Sequence, residues 1–349
     1  MLYLKRQTKK RKEENLLDFT SILLSLFAFA VIIMVHEFGH FLFAKLLGFR
    51  VEEFAIGFGK KLFSKKYGET VYSIRAVPLG GFNAIPEIDS MGGNITPALY
   101  AKRFVVLVAG GLFNIISAVM AIFVTFWIIG FPVPSSTVQS VQPDHPAYNI
   151  LMPNDKILSI NGHEVVNNND LAIVKEFKDV SLVVERGGQT VELQIHKNLD
   201  APLGAVMQPE YRSLSFSESF VATGMMLDRF FMAIDSFWGT MSNSTVQDKV
   251  TSLSGPIGVT QAMVQTQNSL GISGLIVLAA FISIQIGIFN LLPVPLLDGG
   301  RIMVDTIQLL TRNALNDNCI KYISYSGLVV IGLIFLCGMG SDIFRIIQS

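Results

Sequence analysis

Residues 35–40 read VHEFGH and place two imidazoles and a carboxylate inside a long apolar run. The flanking residues, 19–35 and 41–49, are almost all apolar. Ionisable side chains at membrane depth are costly, so they are rare there unless they are paired or functional. The stretch therefore predicts a transmembrane helix with a polar site inside it.

Helical spacing places His36 and His40 one turn apart on the same face, where their ring nitrogens can share one metal ion. Glu37 would then lie beside the open coordination position of that ion. Zinc with three protein ligands lowers the pKa of a bound water to about 7, and an adjacent Glu takes its proton as the water attacks a carbonyl. The alternative is a pair of histidines that hydrogen-bond to neighbouring carbonyl groups. With 5 His in 349 residues, two at this spacing around a Glu favour zinc.

The composition indicates a polytopic membrane protein. A mean hydropathy of +0.48, with 50% hydrophobic and 15% charged residues, is too apolar for an ordinary soluble domain. Lys+Arg and Asp+Glu are both 27, so no overall field attracts nucleic acid, and nucleic-acid binding is not expected. Cys319 and Cys337 are too few for a disulfide framework.

Apolar runs predict four transmembrane helices, at 17–47, 104–131, 272–292 and 322 to roughly 337. The first is interpreted as a span rather than a cleaved signal peptide because its apolar run is too long for a signal sequence. Because successive spans alternate in direction, the first and third are expected to end on the same side of the membrane.

A second candidate ligand follows the third span, in the segment NLLPVPLLDGG at 290–300. Asp298 comes after a break made by Pro293 and Pro295, on the side expected to carry His36 and His40. The alternative is a turn in which the Asp hydrogen-bonds its own backbone. A two-histidine zinc site that still lacks a ligand favours coordination by Asp298.

The segments between the spans contain strand-like and amphipathic patterns. Residues 70–77 alternate like a strand and 78–82 supply a turn, which predicts a short hairpin. That strand is either a connector or an edge that pairs with an extended peptide backbone. Asn114 either hydrogen-bonds across a helix contact or reaches the polar site.

The segment 132–208 has the pattern of a soluble domain, with turns at Asn161-Gly162 and Gly187-Gly188. Residues 209–250 mix aromatic and polar side chains and predict amphipathic helices on the membrane surface. The expected divisions are thus a membrane half at 1–131, the inserted domain, the surface helices, and a second membrane half at 251–349. The predicted strands of the inserted domain are 136–141, 156–160, 181–186 and 191–196.

Seven short motifs are spread over nearly the whole chain: HEFGH at 36–40, GFG at 57–59, PLGGF at 78–82, AGGLFN at 109–114, SGPIG at 254–258, NLLPVPLLDGG at 290–300 and SDIFRII at 341–347. In these motifs the chain resembles the site-2 protease family of intramembrane zinc metalloproteases, and more closely its bacterial branch that cleaves anti-sigma factors and signal-peptide remnants. Residues 145–165 look like the single PDZ domain that many members carry. The fold expected from this resemblance is a polytopic α-helical membrane protein with about four transmembrane helices, a membrane-associated β-hairpin and an inserted α+β PDZ-like domain.

The resemblance implies a role for each matching residue. The zinc ligands would be His36, His40 and Asp298, and the general base Glu37. Members of the family cut transmembrane segments of single-span proteins in the lipid bilayer, usually after a first protease has trimmed the extracytoplasmic part, and the PDZ domain excludes untrimmed substrates. Candidate substrate contacts are Gly80 and Gly81 in the reentrant hairpin, Asn290 in the motif that holds the substrate backbone, and Asn114.

The expected location is the cytoplasmic membrane of a bacterium, as a multi-pass protein with its PDZ domain outside. The loop 45–103 carries nine Lys/Arg and would face the cytoplasm, although the basic N-terminal tail favours the opposite orientation. Asn154 stands where the family usually has Gly, and Asn tolerates positive φ. AGG at 109–111 replaces the commoner AGP.

Two rival functions are a non-catalytic adaptor that binds partner peptides through its PDZ domain and a metal-binding transporter. The presence of Glu37 and of all three candidate ligands argues against the adaptor. The lack of a convincing internal repeat argues against the transporter.

Overall fold

The computed structural model describes residues 2–90, 94–133, 135–165, 168–199, 201–208, 210–243 and 255–348. The chain forms two compact units. The first comprises Met1–Thr125 with Phe216–Ser349, and the second is Phe126–Ser215.

Four long helices dominate the first unit and contain its apolar runs. They are α1 (Leu2–Leu46), α3 (Pro97–Val124, continued by a π-helical turn Thr125–Ile129), α5 (Pro256–Asn290) and α7 (Asp317–Gln348). In the described part of the chain, four segments are long and apolar enough to cross a membrane, which confirms the four predicted spans. These segments are Ile22–Leu46, Pro97–Ile129, Ser269–Asn290 and Asn318–Ile343.

The N-terminus of α5 is capped by a residue from the far end of the chain. The Asp342 carboxylate of α7 accepts backbone N–H groups from Gly255 and Ile257 at 3.1 Å and from Gly258 at 3.0 Å. A helix start leaves such donors without internal partners, and its dipole favours a negative charge. The motifs SGPIG and SDIFRII therefore meet in one contact, although Ser254 itself lies outside the described residues.

A β-sheet follows α1 and is larger than the predicted short hairpin. Its strands β1 (Glu53–Tyr67) and β2 (Thr70–Ala84) have 15 residues each. Residues 53–56 of β1 pair with both 71–74 and 81–84 of β2, and residues 63–67 pair with 70–74. Because 71–74 has partners on both sides, this strand does not offer a free edge, so of the two alternatives left open by the sequence the edge does not apply to it. In the described chain the segment 81–84 pairs on one side only.

Short helices and a buried ion pair connect this sheet to the spans. Helix α2 (Pro86–Asp89) follows β2, and α6 (Asp298–Leu310) follows α5. Arg103 of α3 donates to Asp305 of α6 at 2.7 Å and to the carbonyls of Glu87 and Ser90 around α2. One guanidinium thus joins three helices. The apolar residues buried around this junction are Ala44, Phe49, Val51, Ile85, Ile88, Val106 and Leu107.

The predicted surface-helix segment contains one long helix, α4 (Phe216–Asn243). Phe230 of α4 stacks on Phe281 of α5 with ring centroids 4.4 Å apart, so this part of α4 packs on the third span. Phe220 is exposed. Residues 244–250 of the predicted segment lie outside the described residues.

The second unit is built from short strands around its own apolar core. A sheet of four antiparallel strands has the order β6-β5-β7-β8, while β4 pairs with β9 and β3 with β10. Each of the four predicted strands is present. The strands are β3 (Phe131–Val133), β4 (Val138–Val141), β5 (Lys156–Ile160), β6 (His163–Glu164), β7 (Asp179–Arg186), β8 (Gln189–His196), β9 (Ala205–Met207) and β10 (Glu210–Arg212), with a 3₁₀ helix at Asn168–Glu176.

The turns of this unit use the residues that the sequence indicated. Asn161 and Gly162 have φ of 48° and 81°, and Gly187 and Gly188 have φ of 60° and 80°. Two consecutive positive φ values suit tight hairpins of twisted strands. Asn154 has φ of 73°, as expected for an Asn that replaces the family's Gly.

An ion pair in the second unit predicts loss of stability in acid. Arg186 donates two hydrogen bonds of 2.7 Å to Asp155, and the Met152 N–H donates a third of 2.8 Å. Burial alone would raise the pKa of Asp155, but these hydrogen bonds lower it below its ordinary value. Since the folded state holds the carboxylate form, the stabilisation is present above the ordinary pKa and is lost as the pH falls through the folded-state pKa.

We expect Asp155→Asn to lower the free energy of unfolding of this unit by roughly 1.5–3 kcal/mol at neutral pH, the range for hydrogen bonds to charged groups. Hydrogen exchange of β5 and β7 amides in the full-length protein, corrected for intrinsic rates, measures the effect across pH. Asp179→Asn is the control because that carboxylate is 81% exposed. Equal protection in all three proteins would contradict the prediction.

Candidate metal centre

Two helices bring the three predicted ligands together. His36 and His40 project from adjacent turns of α1, and Asp298 begins α6. His36 Nε2 lies 3.1 Å from both His40 Nε2 and Asp298 Oδ2, and His40 Nε2 lies 3.2 Å from Asp298 Oδ2. All three residues are at most 9% exposed. The atoms are close enough to hold one metal ion among them.

The three ligand atoms are arranged to bind a divalent cation rather than to hydrogen-bond to one another. His40 Nδ1 donates to the Val106 carbonyl at 2.8 Å, so the lone pair of this ring is on Nε2. Asp298 Oδ2 is buried without a hydrogen-bond partner in the described chain. A single proton can form only one hydrogen bond among these three converging lone-pair atoms. A metal cation can bind all three. Two imidazoles and one carboxylate, with one position left for water, are the ligand pattern of catalytic zinc.

Glycine allows α3 to approach the histidines. A Cβ at Gly110 would overlap the rings of His40 and His36. On the facing helix, a Cβ at Gly39 would lie 2.6 Å from the carbonyl oxygen of Ala109. Both glycines are therefore required by the close contact of α1 and α3 beside the ligands.

The carboxylate of Glu37 is positioned by a residue that the sequence analysis missed. Asn83 Nδ2 donates to Glu37 Oε2 at 2.9 Å and to the Glu37 carbonyl oxygen at 2.5 Å. Asn83 directly follows the PLGGF motif, and this adjacency was the one signal that could have identified it. Its place in the segment 81–84 brings the one-sided edge of the sheet next to Glu37.

The two glycines of PLGGF allow close packing of this edge on α1 and on β1. Gly80 has φ of 109°, a conformation that other residues rarely adopt, and its Cα faces Ile33 and Phe58. A Cβ at Gly81 would lie 2.5 Å from the Ala55 carbonyl oxygen. Of the two predicted glycines, Gly81 thus lies on the segment 81–84 that borders the site, and Gly80 directly precedes this segment.

A polar cavity of about 270 Å³ connects these groups. Asn290 lines it together with His36, Glu37, His40 and Asp298. Asn114 does not line it. That residue is fully buried in α3, its carbonyl accepts from Ser283 at 3.1 Å, and its side-chain amide has no partner in the described chain. The structure therefore brings Asn290 to the site, whereas a substrate contact by Asn114 stays a prediction.

Apolar spans around a His₂-carboxylate centre define a membrane metallopeptidase. A family model for peptidase family M50 matches residues 24–334. The chain therefore belongs to peptidase family M50, the site-2 protease family that its motifs resemble. This confirms the predicted enzyme class, zinc metalloprotease, and its cofactor, Zn²⁺.

Relatives match along nearly the whole chain. A candidate zinc metalloprotease of Clostridium perfringens is 32% identical over 344 residues, which cover 93% of this chain and 99% of that protein. A candidate zinc metalloprotease of Clostridium acetobutylicum is 27% identical over 340 residues, or 92% and 96% of the two chains. The chloroplastic membrane metalloprotease ARASP of Arabidopsis thaliana is 31% identical over 323 residues, which cover 83% of this chain and 71% of that protein.

A solved structure matches a small part of the chain. The PDZ domain of the SdrC-like protein of Listeria innocua is 21% identical and covers 22% of this chain and 96% of its own, with a TM-score of 0.20. A score this low does not establish the fold of the inserted unit, so the PDZ assignment stays a prediction.

Proposed function

We propose that this protein hydrolyses peptide bonds within the transmembrane segments of single-span membrane proteins. The convergence of His36, His40 and Asp298 within 3.2 Å, beside Glu37 and inside apolar helices, carries this proposal. A zinc ion held by these three residues would keep one position open to water, as hydrolysis requires. The apolar helices around the site favour a substrate that lies in the bilayer.

The proposed roles of the side chains follow from their places. Zinc, when bound by His36, His40 and Asp298, supplies Lewis-acid activation of the water and the scissile carbonyl. Glu37 accepts the proton of the attacking water and returns it to the leaving amine nitrogen. Asn83, by donating to Oε2, leaves the other carboxylate oxygen of Glu37 free to face the water. Asn290, on the cavity wall, is proposed to hold the substrate backbone.

The proposal is tested by assaying the purified full-length protein for zinc content and for cleavage of a synthetic single-span peptide in lipid nanodiscs. Zinc together with cuts inside the apolar segment is the expected result. Cuts confined to the water-exposed flanks of the peptide would contradict intramembrane cleavage while leaving the metallopeptidase assignment intact.

The edge segment 81–84 is proposed to bind the substrate as an added strand. It pairs on one side only, and it carries Asn83, which contacts Glu37. A transmembrane helix must unwind locally before its backbone reaches a protease site, and a strand edge offers new hydrogen bonds to the unwound residues. Gly80 allows close contact with Ile33 of α1, and Gly81 allows close contact with Ala55 of β1, which together keep this edge in place.

Replacing one backbone amide of the substrate by an ester, next to the scissile bond, is expected to reduce cleavage by about 2–10-fold, because one net hydrogen bond is lost. The same ester placed two turns away in the peptide should have no effect. Cleavage rates of the three peptides in nanodiscs measure the difference. Equal cleavage rates for both ester peptides would contradict substrate binding by the segment 81–84, which would then be only a connector.

The second unit, Phe126–Ser215, is proposed to be a PDZ domain outside the cell that excludes untrimmed substrates. In that topology the sheet of β1 and β2 faces the cytoplasm, which its basic residues favour. The wider role would be regulated intramembrane proteolysis, with anti-sigma factors or signal-peptide remnants as substrates.

The topology is tested by introducing Lys178→Cys, an exposed position of the second unit, into a protein without Cys319 and Cys337. We expect a membrane-impermeant thiol reagent to label this cysteine on intact cells, because the unit would lie outside. Ser64→Cys in β1 should be labelled only after lysis. The reverse pattern would overturn the proposed orientation.

The rival function, a non-catalytic adaptor, needs no metal centre. The buried Asp298 Oδ2, which has no hydrogen-bond partner among the described residues, and the Glu37–Asn83 contact support catalysis instead. An adaptor would bind the single-span peptide without cutting it, whatever its zinc content.

A further inference from the structure

One face of the β1–β2 sheet is apolar and uncovered. Strand alternation and the pairing of Phe63 with Ile74 place Phe63, Tyr67 and Ile74 on this face, and they are 61%, 78% and 48% exposed. A cavity of about 460 Å³ opens on the same face. A patch of this kind marks contact with another apolar surface. The deeper wall of the cavity is formed by Phe54, Ile56 and Tyr72.

The same sheet carries unneutralised positive charge. The acidic side chains in the sheet and directly beside its strands are all paired within the described chain, since Glu52 lies 3.4 Å from Arg50, Glu53 2.8 Å from Arg75, and Glu69 2.6 Å from Lys45. A set of exposed lysines makes no ion pair with any described residue. This set is Lys60, Lys65 and Lys66, and Lys65 also lines the cavity.

We propose that this face binds an anionic phospholipid of the surrounding bilayer. An acyl chain would occupy the cavity between Phe63 and Tyr67, and the lipid phosphate would contact Lys65 at its rim. Lys60 and Lys66 attract the negative membrane surface around that lipid. In an anionic phospholipid the apolar acyl chain adjoins a negatively charged headgroup, which matches an apolar cavity with a cationic rim. An aromatic side chain with a polar tip, such as Tyr67, suits the membrane interface.

The place of the sheet in the chain supports this occupant. β1 begins at Glu53, seven residues after α1 ends at Leu46, so the sheet starts where the first span leaves the membrane. Lipid bound there would hold the sheet at the membrane surface. The opposite edge, 81–84, would then stay beside Glu37. This binding is independent of the proposed peptidase chemistry.

The test uses full-length Glu37→Gln protein, so that proteolysis does not interfere, and native mass spectrometry of its complexes with phosphatidylglycerol or phosphatidylcholine of equal chain length. We expect preferential binding of phosphatidylglycerol. Adding Lys60→Gln, Lys65→Gln and Lys66→Gln together should weaken phosphatidylglycerol binding at least about fivefold, the contribution of Lys65, which would contact the lipid phosphate. Phosphatidylcholine binding should not change.

Two further variants separate the charge from the cavity. Lys156→Gln, Lys175→Gln and Lys178→Gln together remove the same charge from exposed positions of the second unit and should leave the preference intact. Phe63→Ser with Tyr67→Ser should weaken the binding of both lipids. Equal affinities of the parent for the two lipids, or an equal loss in both lysine triples, would overturn the proposal. Displacement of the lipid by inorganic phosphate alone would overturn it as well, because the site would then hold a free anion.

Discussion

Glu37→Gln protein is expected to retain its zinc while losing cleavage by about 10²–10⁴-fold, the usual contribution of general acid–base catalysis. Gln has the shape of Glu but cannot accept the proton of the attacking water. Asn83 Nδ2, which donates to Glu37 Oε2 at 2.9 Å, can still donate to the amide oxygen of the Gln, so the side chain should keep its position. Single-turnover cleavage of the single-span peptide, together with zinc analysis of the same sample, measures both effects.

Glu87→Gln is the matched control for this experiment. Glu87 is an exposed carboxylate on α2, close to the site along the chain, and only its backbone carbonyl contacts Arg103. Its substitution should leave zinc content and cleavage unchanged. If Glu37→Gln protein cleaves within about tenfold of the parent rate, another group is the base, since even the low end of general-base catalysis exceeds that loss.

The sequence was sufficient to predict the spans because hydrophobic length is a local property. Twenty or so consecutive apolar residues mark a membrane helix whatever the rest of the chain does. The spacing of His36 and His40 is local as well, because helix geometry alone places them on one face. Asp298 could be predicted as the third ligand only from the side of the membrane on which the third span ends. The distances of 3.1–3.2 Å that join it to the histidines depend on how α6 packs against α1.

The sheet was the element that local patterns predicted least well. Residues 70–77 alternate, but β1 is interrupted by Gly57 and Gly59, both with positive φ, and its second half is rich in lysine. Strand pairing depends on cross-strand contacts and on these bends. The alternation of apolar and polar residues along one strand predicts neither. The identity of the free edge, and with it the role of Asn83 beside Glu37, therefore required the structure.

The buried ion pair of Arg103 and Asp305 was also beyond the sequence pattern. A charged residue early in an apolar helix usually suggests the membrane boundary, and Arg103 fits that interpretation. Its 2.7 Å contact with Asp305 and its bonds to carbonyls near α2 come from residues far along the chain. Periodicity says which face of a helix is polar, but not which distant residue the face meets.

His40→Ala and Asp298→Ala are expected to lose zinc and cleavage together, in contrast to Glu37→Gln. Each removes one of only three protein ligands, and loss of even an indirect partner of a ligand typically costs about 10–100-fold in metal affinity. We therefore expect the loss of a direct ligand to exceed about 100-fold. Zinc titration against a chelator of known affinity, in parallel with the cleavage assay, measures this difference.

Asp298→Asn is the sharper test of the third ligand, because an amide oxygen can occupy the same place but is a much weaker ligand than a carboxylate. Its zinc affinity should fall between those of the parent and of Asp298→Ala. Asp89→Asn is the control, since Asp89 lines the same cavity, lies 3.3 Å from Arg301 and is not near the histidines' ring nitrogens. If Asp298→Asn and Asp298→Ala both keep full zinc and full activity, the third ligand is misassigned. The contact of α6 with His36 and His40 would then serve packing alone, and the fourth position proposed for water would have to be reassigned with it.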